Sequence, residues 1–326
     1  MLKTTVVGNY PKITEDRSAP NLRSALNKFD QKKISKEELE KVYQETIKRV
    51  IKEQEEAGVD LITDGQIRWD DLVTPFARNI EGFKIGGLIR FFDNNAYYRR
   101  PIAKSKLSFK DYSTVEQFNF LKQNSIKKVK AVLVGPFTLA RLSKDEYYDD
   151  EDELTLNLAG ILRKEAERLE EVGAEFIQID EPCLCFSPEK IDLVDQAIKI
   201  VADGLKAKTF LYLYFGEIKD LIPGVFGFQV DGIGVDLISR PENLDLLLES
   251  ASDKELILGC VDGRNTKPEK EEELLSLFER VTQKISDEKI YISPSCGLEF
   301  LPHSSAMAKL KTMVQSVRKF NHTEDD

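Results

Sequence analysis

The 326-residue sequence is poor in the side chains that most often hold metals or cross-link chains, with two histidines, four cysteines and one tryptophan. The cysteines, Cys183, Cys185, Cys260 and Cys296, lack the even framework spacing of a disulfide-stapled secreted scaffold, so reduced thiols are expected. No apolar run approaches the roughly 18 residues that a membrane helix needs. The opening MLKTTVVGNYPK is one lysine and a short apolar run broken by Gly-Asn-Tyr-Pro, too short for a signal peptide, and a cytoplasmic location is expected. Basic charge is not in excess either. The formal net charge is −10, whereas a surface that neutralises nucleic-acid phosphates needs the opposite sign. Neither a nucleic acid nor a membrane is expected as a partner.

What is present is a chain 41% hydrophobic and 32% charged, the balance of a soluble globular protein. Short β-rich apolar runs alternate with longer amphipathic stretches, the pattern of a parallel sheet covered by helices. Eight such runs stand at residues 4–7, 59–63, 131–134, 175–179, 209–214, 232–237, 255–259 and 289–293. Eight is the closing number of a small barrel, so the expected fold is α/β, a single (β/α)8 TIM barrel over residues 1–320. Helices are predicted over 37–57 and 153–172, stopped by Gly58 and Gly173. A doubly wound open sheet would carry a glycine-rich phosphate turn after its first strand, and VVGNYP is not one. Residues 67–130 form a long insertion region, with GFKIGGLIRFFDNNAYYRRPI as an inserted hairpin between strands 2 and 3, and 321–326 form a frayed tail.

In a barrel, the residues just past each strand converge on one mouth. They include Asn9 and Tyr10, Asp64 and Gln66, Gly135-Pro136, Asp180-Glu181-Pro182, Tyr214, Asp236, Arg264-Asn265 and Ser295-Cys296-Gly297. Adjacent carboxylates at the end of a buried strand need a partner or a ligand. Asp180 and Glu181 are therefore candidate catalytic groups, the bland alternative being a helix cap or an arginine pair. Asp236 carries the same logic, against a salt bridge to Arg240 or Arg264. Cys296, with His303 seven residues on, could serve a metal only in an altered site, because a zinc ion needs three or four N, S or O ligands. Cys183 and Cys185 read as small buried hydrophobes. Basic residues gather at Arg23 and Lys28, and at Arg90, Arg99 and Arg100 beside Phe91, Phe92, Tyr97 and Tyr98. Such a group suits a flat polyanionic ligand, or else a hydrophobic hairpin with snorkelling arginines.

The segments VVGNYPK, DLITDGQIRWDDLV, VLVGPFTLARLS, GAEFIQIDEPCL and SPSCGL, taken in order, resemble the motifs of cobalamin-independent methionine synthase along nearly the whole chain. That family is built from two homologous barrels, of which only the second carries the zinc that activates homocysteine. RFFDNNAYY, LYLYFGEIKDLI and GCVDGRN resemble segments of the first, zinc-free barrel. Where the zinc barrel has a His-x-Cys pair this chain has Tyr212 and Tyr214, where it has a glutamate ligand Asp236 stands, and Gln66 replaces a glutamate used on homocysteine. Only Cys296 matches a ligand position. The resemblance implies a stand-alone counterpart of the first barrel, acting with a separate zinc-bearing barrel in methyl transfer to homocysteine. It also implies a methyl-folate or related pterin as donor, no tightly bound cofactor here, and zinc on the partner. Donor and substrate contacts would fall on Asn9, Arg23, Lys28, Gln66, Arg90, Tyr214, Arg264 and Asn265. The alternatives are an autonomous homocysteine S-methyltransferase with an altered zinc site built on Cys296 and His303, and a non-catalytic pterin-binding or scaffold protein.

Overall fold

The computed structural model describes residues 1–14, 21–250 and 253–323. In chain order, they open with β1 (Lys3–Thr4), α1 (Leu22–Asp30), α2 (Lys36–Ala57), β2 (Leu61–Ile62), α3 (Thr74–Arg78), β3 (Ile80–Arg90) and β4 (Tyr97–Phe109). Next come α4 (Val115–Asn124), β5 (Lys128–Val129), β6 (Ala131–Val134), α5 (Pro136–Arg141), β7 (Lys144–Asp145), α6 (Glu151–Glu171) and β8 (Phe176–Asp180). The chain continues with α7 (Ile191–Ala202), β9 (Lys208–Leu213), β10 (Gly232–Asp236), α8 (Asn243–Glu249), β11 (Glu255–Val261), α9 (Glu271–Thr282), β12 (Ile290–Pro294) and α10 (His303–Thr323). Each of the eight apolar runs carries a strand, shortened to two residues in β1 and β2.

The long helices start and stop where local chemistry requires. Ser35 and Glu38 form a reciprocal capping box at the head of α2, and Gly58 ends it at φ +90°, a backbone that other residues adopt only with strain. Asp150 caps α6 by accepting from Asp152 N and Glu153 N, and Gly173, also at φ +90°, turns the chain toward β8.

The described chain falls into two compact units. The first comprises Met1–Arg68, Phe120–Val129 and Leu258–Asp326. In it β1 pairs in parallel with β12, β12 with the last residues of β11, and β2 with β5. Its core holds Tyr10, Ile47, Ile51, Leu61 and Phe278, all essentially without solvent exposure. α10 runs through Asn321, whose side-chain amide brackets the backbone of Leu2 at 2.9 and 3.0 Å. The expected frayed tail is therefore corrected at Asn321, which two hydrogen bonds hold in place; residues 324–326 lie outside the described residues.

The second unit comprises Trp69–Asn119 and Lys130–Ile257. Its sheet runs β6, β8, β9, β10 and the first residues of β11, every pairing parallel where the register is defined. Strand residues alternate between two faces, so Phe176, Gln178 and Asp180 of β8 share one face and Ile177 and Ile179 the other. Separately, β3 and β4 pair antiparallel from Ile80↔Phe109 to Arg90↔Tyr97, and β7 adds to β4. No helix among the described residues is long and apolar enough to cross a membrane.

Candidate active site

In the second unit, β6 and β8 lie in register with Val132 opposite Gln178 and Val134 opposite Asp180, which brings the motifs after both strands together. Gly135 N donates to Asp180 O at 2.8 Å. Phe137 N and Thr138 N, in the first turn of α5, donate to the two carboxylate oxygens of Glu181 at 3.2 and 2.5 Å. The Thr138 hydroxyl in turn accepts from Cys183 N at 3.2 Å. The Gly-Pro-Phe-Thr and Asp-Glu-Pro segments are thus one interlocked piece. Gly135 has an ordinary extended backbone, so its need for glycine is one of space: a Cβ there would collide with Glu181 Oε2 and lie 2.9 Å from Asp180 O.

Glu181 is fully buried, and burial pushes its carboxyl up to about 8 against the backbone N–H groups, which favour the anion. Both oxygens are turned to the helix start, so its carboxylate is spent on architecture rather than presented to a ligand. A carboxyl raised in the fold stabilises the folded state fully below its unfolded value and loses that contribution as pH climbs through the folded value. Glu181→Gln should therefore be penalised more at pH 5 than at pH 9, the gap to wild type narrowing through about pH 8. Urea unfolding at the two pH values checks this, and a gap that widens with pH contradicts it.

Asp180 differs. Gln178 Nε2 donates to its Oδ1 at 2.6 Å, the Tyr214 hydroxyl donates to its Oδ2 at 3.3 Å, and Lys130 Nζ donates to Gln178 Oε1 at 2.5 Å. Burial raises the Asp180 carboxyl to about 7 while the Lys130 cation pulls it down, and burial lowers Lys130 to about 7. This column of acid, amide, phenol and amine lies entirely inside the protein, with Asp180 3% and Lys130 1% exposed.

Asp236, at the end of β10, is not bridged to an arginine. Its carboxylate accepts from Phe215 N, Ile238 N, Ser239 N and the Ser239 hydroxyl at 2.5–3.1 Å, while Arg240 turns to the Ser239 carbonyl. Asn243 ties the same corner, donating to Asp236 O and Gly216 O. These bonds anchor the loops after β9 and β10, and they take the place of the salt bridge to Arg240 or Arg264 that stood as the alternative to a site role. Tyr212 is buried with its ring against Gly234, where a Cβ would collide with it.

The first unit holds a different set. Gln66 adopts φ +51°, uncommon for a residue with a side chain and found most often where function requires it. Its backbone N–H donates to Asp64 Oδ1 at 3.0 Å. Its amide packs on Gly8, where a Cβ would stand 2.6 Å from Gln66 Nε2. Both amide atoms of Gln66, and Asp64 Oδ2, are buried with no hydrogen-bond partner among the described residues. Burial raises the Asp64 carboxyl, opposed by the Gln66 N–H. Asn9 O accepts from Leu298 N at 2.9 Å, and the Cys296 thiol donates to Gly297 O at 3.4 Å. His303 lies instead against Glu53, with Nε2 2.8 Å from Oε2 but neither atom in hydrogen-bonding geometry, and its ring stands edge-on to Tyr10.

The basic candidates lie on separate elements. Arg23 and Lys28 are exposed on α1, and Arg264 and Asn265 are exposed after β11. Arg90 is partly committed to its own hairpin turn, donating to Asn94 O at 3.0 Å and meeting Asp93 at 3.1 Å. Beside it Phe92 packs on Phe186 and Phe215, with Phe92 at φ +50° and Phe215 at φ +71°. Sequence inspection does not single out Lys130, and it meets Gln178 and Thr138 only as members of the IQIDEP and VGPFT segments. The position of Gln178 two residues before Asp180, on the same strand face, is the one local signal that could have found it.

A zinc ion would be poorly served by these groups. The phenols of Tyr212 and Tyr214 are weak zinc donors, the Tyr214 hydroxyl is bonded to Asp180, and the Asp236 oxygens already take four donors. Among the described residues no group of three or more His, Cys, Asp and Glu side chains could hold a metal. The thiols of Cys183, Cys185 and Cys260 are all pushed up by burial, which makes them poor nucleophiles.

The chain is 34% identical over 320 residues to the methionine synthase of Saccharolobus solfataricus, covering 98% of this chain and 94% of that protein. It is 32% identical over 320 residues to the methionine synthase of Sulfurisphaera tokodaii, covering 98% and 92%. Its fold matches the B12-independent methionine synthase of Shewanella sp. W3-18-1, solved with selenomethionine, at a TM-score of 0.85 and 22% identity over 99% of this chain and 98% of that one. A putative vitamin-B12-independent methionine synthase from Listeria monocytogenes matches at 0.75 and 19% over 98% of each chain. The family model that matches residues 2–319 is that of the cobalamin-independent synthase catalytic domain, not the zinc-free first barrel that the motifs led one to expect. With that match across nearly its whole length, the chain belongs to the cobalamin-independent methionine synthase family.

Proposed function

We propose that the chain works in the cytoplasm in methyl transfer to homocysteine, with a methyl-folate or related pterin as donor. The observation that carries this reading is the unmet polar set of Asp64 Oδ2 and the two amide atoms of Gln66. Buried polar groups left without partners are costly, and a ligand that completes them recovers that free energy. An amino acid offers the complement, an ammonium for the carboxylate and the amide oxygen and a carboxylate for the amide nitrogen. The Shewanella protein, alike in fold, is a complex with selenomethionine, an amino acid of the product type. Asp180, with Tyr214 and Gln178 on its two oxygens, is the candidate site carboxylate of the second unit, taken by itself. Asn9 and Gln66 belong to the substrate side of this reading. Arg23, Lys28, Arg264 and Asn265 of the first unit, and separately Arg90 of the second, are the candidate donors to the acidic tail of a folate, where charge-assisted bonds count most.

The finer architecture belongs to the same proposal: the eight strands close as a (β/α)8 barrel over residues 1–320, with the β3–β4 hairpin inserted between its second and third strands. The likeness in fold over 99% of the chain supports it.

Zinc, where bound, supplies an unprotonated sulfur nucleophile at neutral pH. Because the donors here do not suit it, the reading places that ion on a separate zinc-bearing barrel, and no step in this chain runs through it. One observation favours a second reading in which the chain acts alone: relatives covered over 94% of their length are themselves named methionine synthase. Zinc analysis after dialysis, with methyl transfer measured with and without a zinc-bearing synthase barrel, separates the two. The first reading expects far less than one zinc per chain and turnover only with the partner. Stoichiometric zinc together with turnover by the chain alone overturns it.

A further inference from the structure

Lys130 stands just before β6, on the strand face that Val132 and Val134 share, and β6 lies beside β8 with Val132 opposite Gln178. Its amine is buried, and a buried cation is expensive unless its charge is answered nearby. An apolar side chain of similar length would fill the same space without that cost, so packing alone does not account for lysine. The amine reaches the side-chain carbonyl of Gln178, at 2.5 Å. An amide held by its oxygen must present its nitrogen on the other side, and that nitrogen meets Asp180 Oδ1 at 2.6 Å.

We propose that Lys130 is a positioning residue which, by fixing the Gln178 amide, orients the Asp180 carboxylate and keeps it anionic for the substrate. This rests on the reading of Asp180 as a site group in methyl transfer. Without the lysine, Gln178 could turn its oxygen toward Asp180, two acceptors would face each other, and the carboxyl would take up a proton to relieve the clash. The charged and titratable groups facing Asp180 in its unit are Lys130 ahead of β6, Tyr214 after β9 and Glu181 beside it on its own strand end. Glu181 is held by α5 and Tyr214 bonds the opposite oxygen, which leaves Lys130 as the cation that sets the balance.

The test follows the Asp180 carboxyl carbon by NMR in protein labelled with 13C at aspartate side chains, assigned by its loss in Asp180→Asn, in wild type and in Lys130→Met and Gln178→Leu. Both variants should raise the Asp180 titration midpoint by about one pH unit or more. Lys254→Met, which removes a half-buried lysine of the same unit bonded to the Phe228 and Val230 carbonyls, should leave it in place. Gln178→Leu serves if Lys130→Met does not fold. An unchanged midpoint in the folded variants, or an equal rise in Lys254→Met, overturns the proposal. This readout needs no turnover: loss of methyl transfer in every combination with a shifted midpoint would sink the functional reading alone, and the converse would sink only the role of Lys130.

Discussion

Gly135→Ala is expected to lower the unfolding free energy by about 2–4 kcal/mol, from an overpacked strand end and two buried N–H groups that lose their acceptor. The new methyl group would stand where Glu181 Oε2 is and press on the Asp180 carbonyl, so the carboxylate must leave the N–H groups of Phe137 and Thr138. Displaced, it has nowhere polar to go, because Glu181 is fully buried. Urea unfolding measures the loss, and a decrease below about 1 kcal/mol would show that the strand end adapts and that the interlock is not rigid. The double variant Gly135→Ala/Glu181→Ala removes the colliding atom, so its cost should fall short of the sum of the two single costs, as contacting residues show.

Asp180→Asn is expected to leave the unfolding midpoint near that of wild type and to reduce kcat/KM for methyl transfer about ten- to a hundred-fold. That corresponds to a charge-assisted hydrogen bond of roughly 1.5–3 kcal/mol. Asparagine keeps an oxygen for the Gln178 amide and a polar atom within reach of the Tyr214 hydroxyl, so the column survives while the charge is lost. Steady-state kinetics beside a denaturation curve decide it. A large fall in stability with kcat/KM unchanged in the folded fraction would make Asp180 a structural residue. A loss confined to KM would assign it to binding homocysteine or donor alike in ground and transition states.

The two strongest helices could be read from the chain because their causes are local. The capping box of Ser35 and Glu38, the three- and four-residue apolar steps of α2, and Gly58 in a left-handed backbone all act within a few residues. The eight strand positions follow from short apolar runs for the same reason, although β1 and β2 keep two residues each and the bounds of β8 to β12 differ by one or two residues. Candidate polar groups at strand ends were legible as a class. Their roles were not: Glu181 and Asp236 look alike in sequence to Asp180, yet one holds the start of α5 and the other a turn built by Ser239. His303, a candidate partner for Cys296, lies instead against Glu53 on α2.

The sequence by itself determined the periodicities, the helix stops, the parallel α/β character and the motifs by which the family is recognised. Each is set by residues near one another in the chain or by their order along it. Only the tertiary structure decided which carboxylate is held by backbone N–H groups and which by the side chains of Gln178 and Tyr214. It alone joined Lys130 to Asp180 through Gln178, across 48 and then two residues, and left the amide of Gln66 unmet on Gly8. The physical reason is that a hydrogen bond's partner depends on strand register and on which face a side chain takes, and β6 and β8 acquire that register only when they pair.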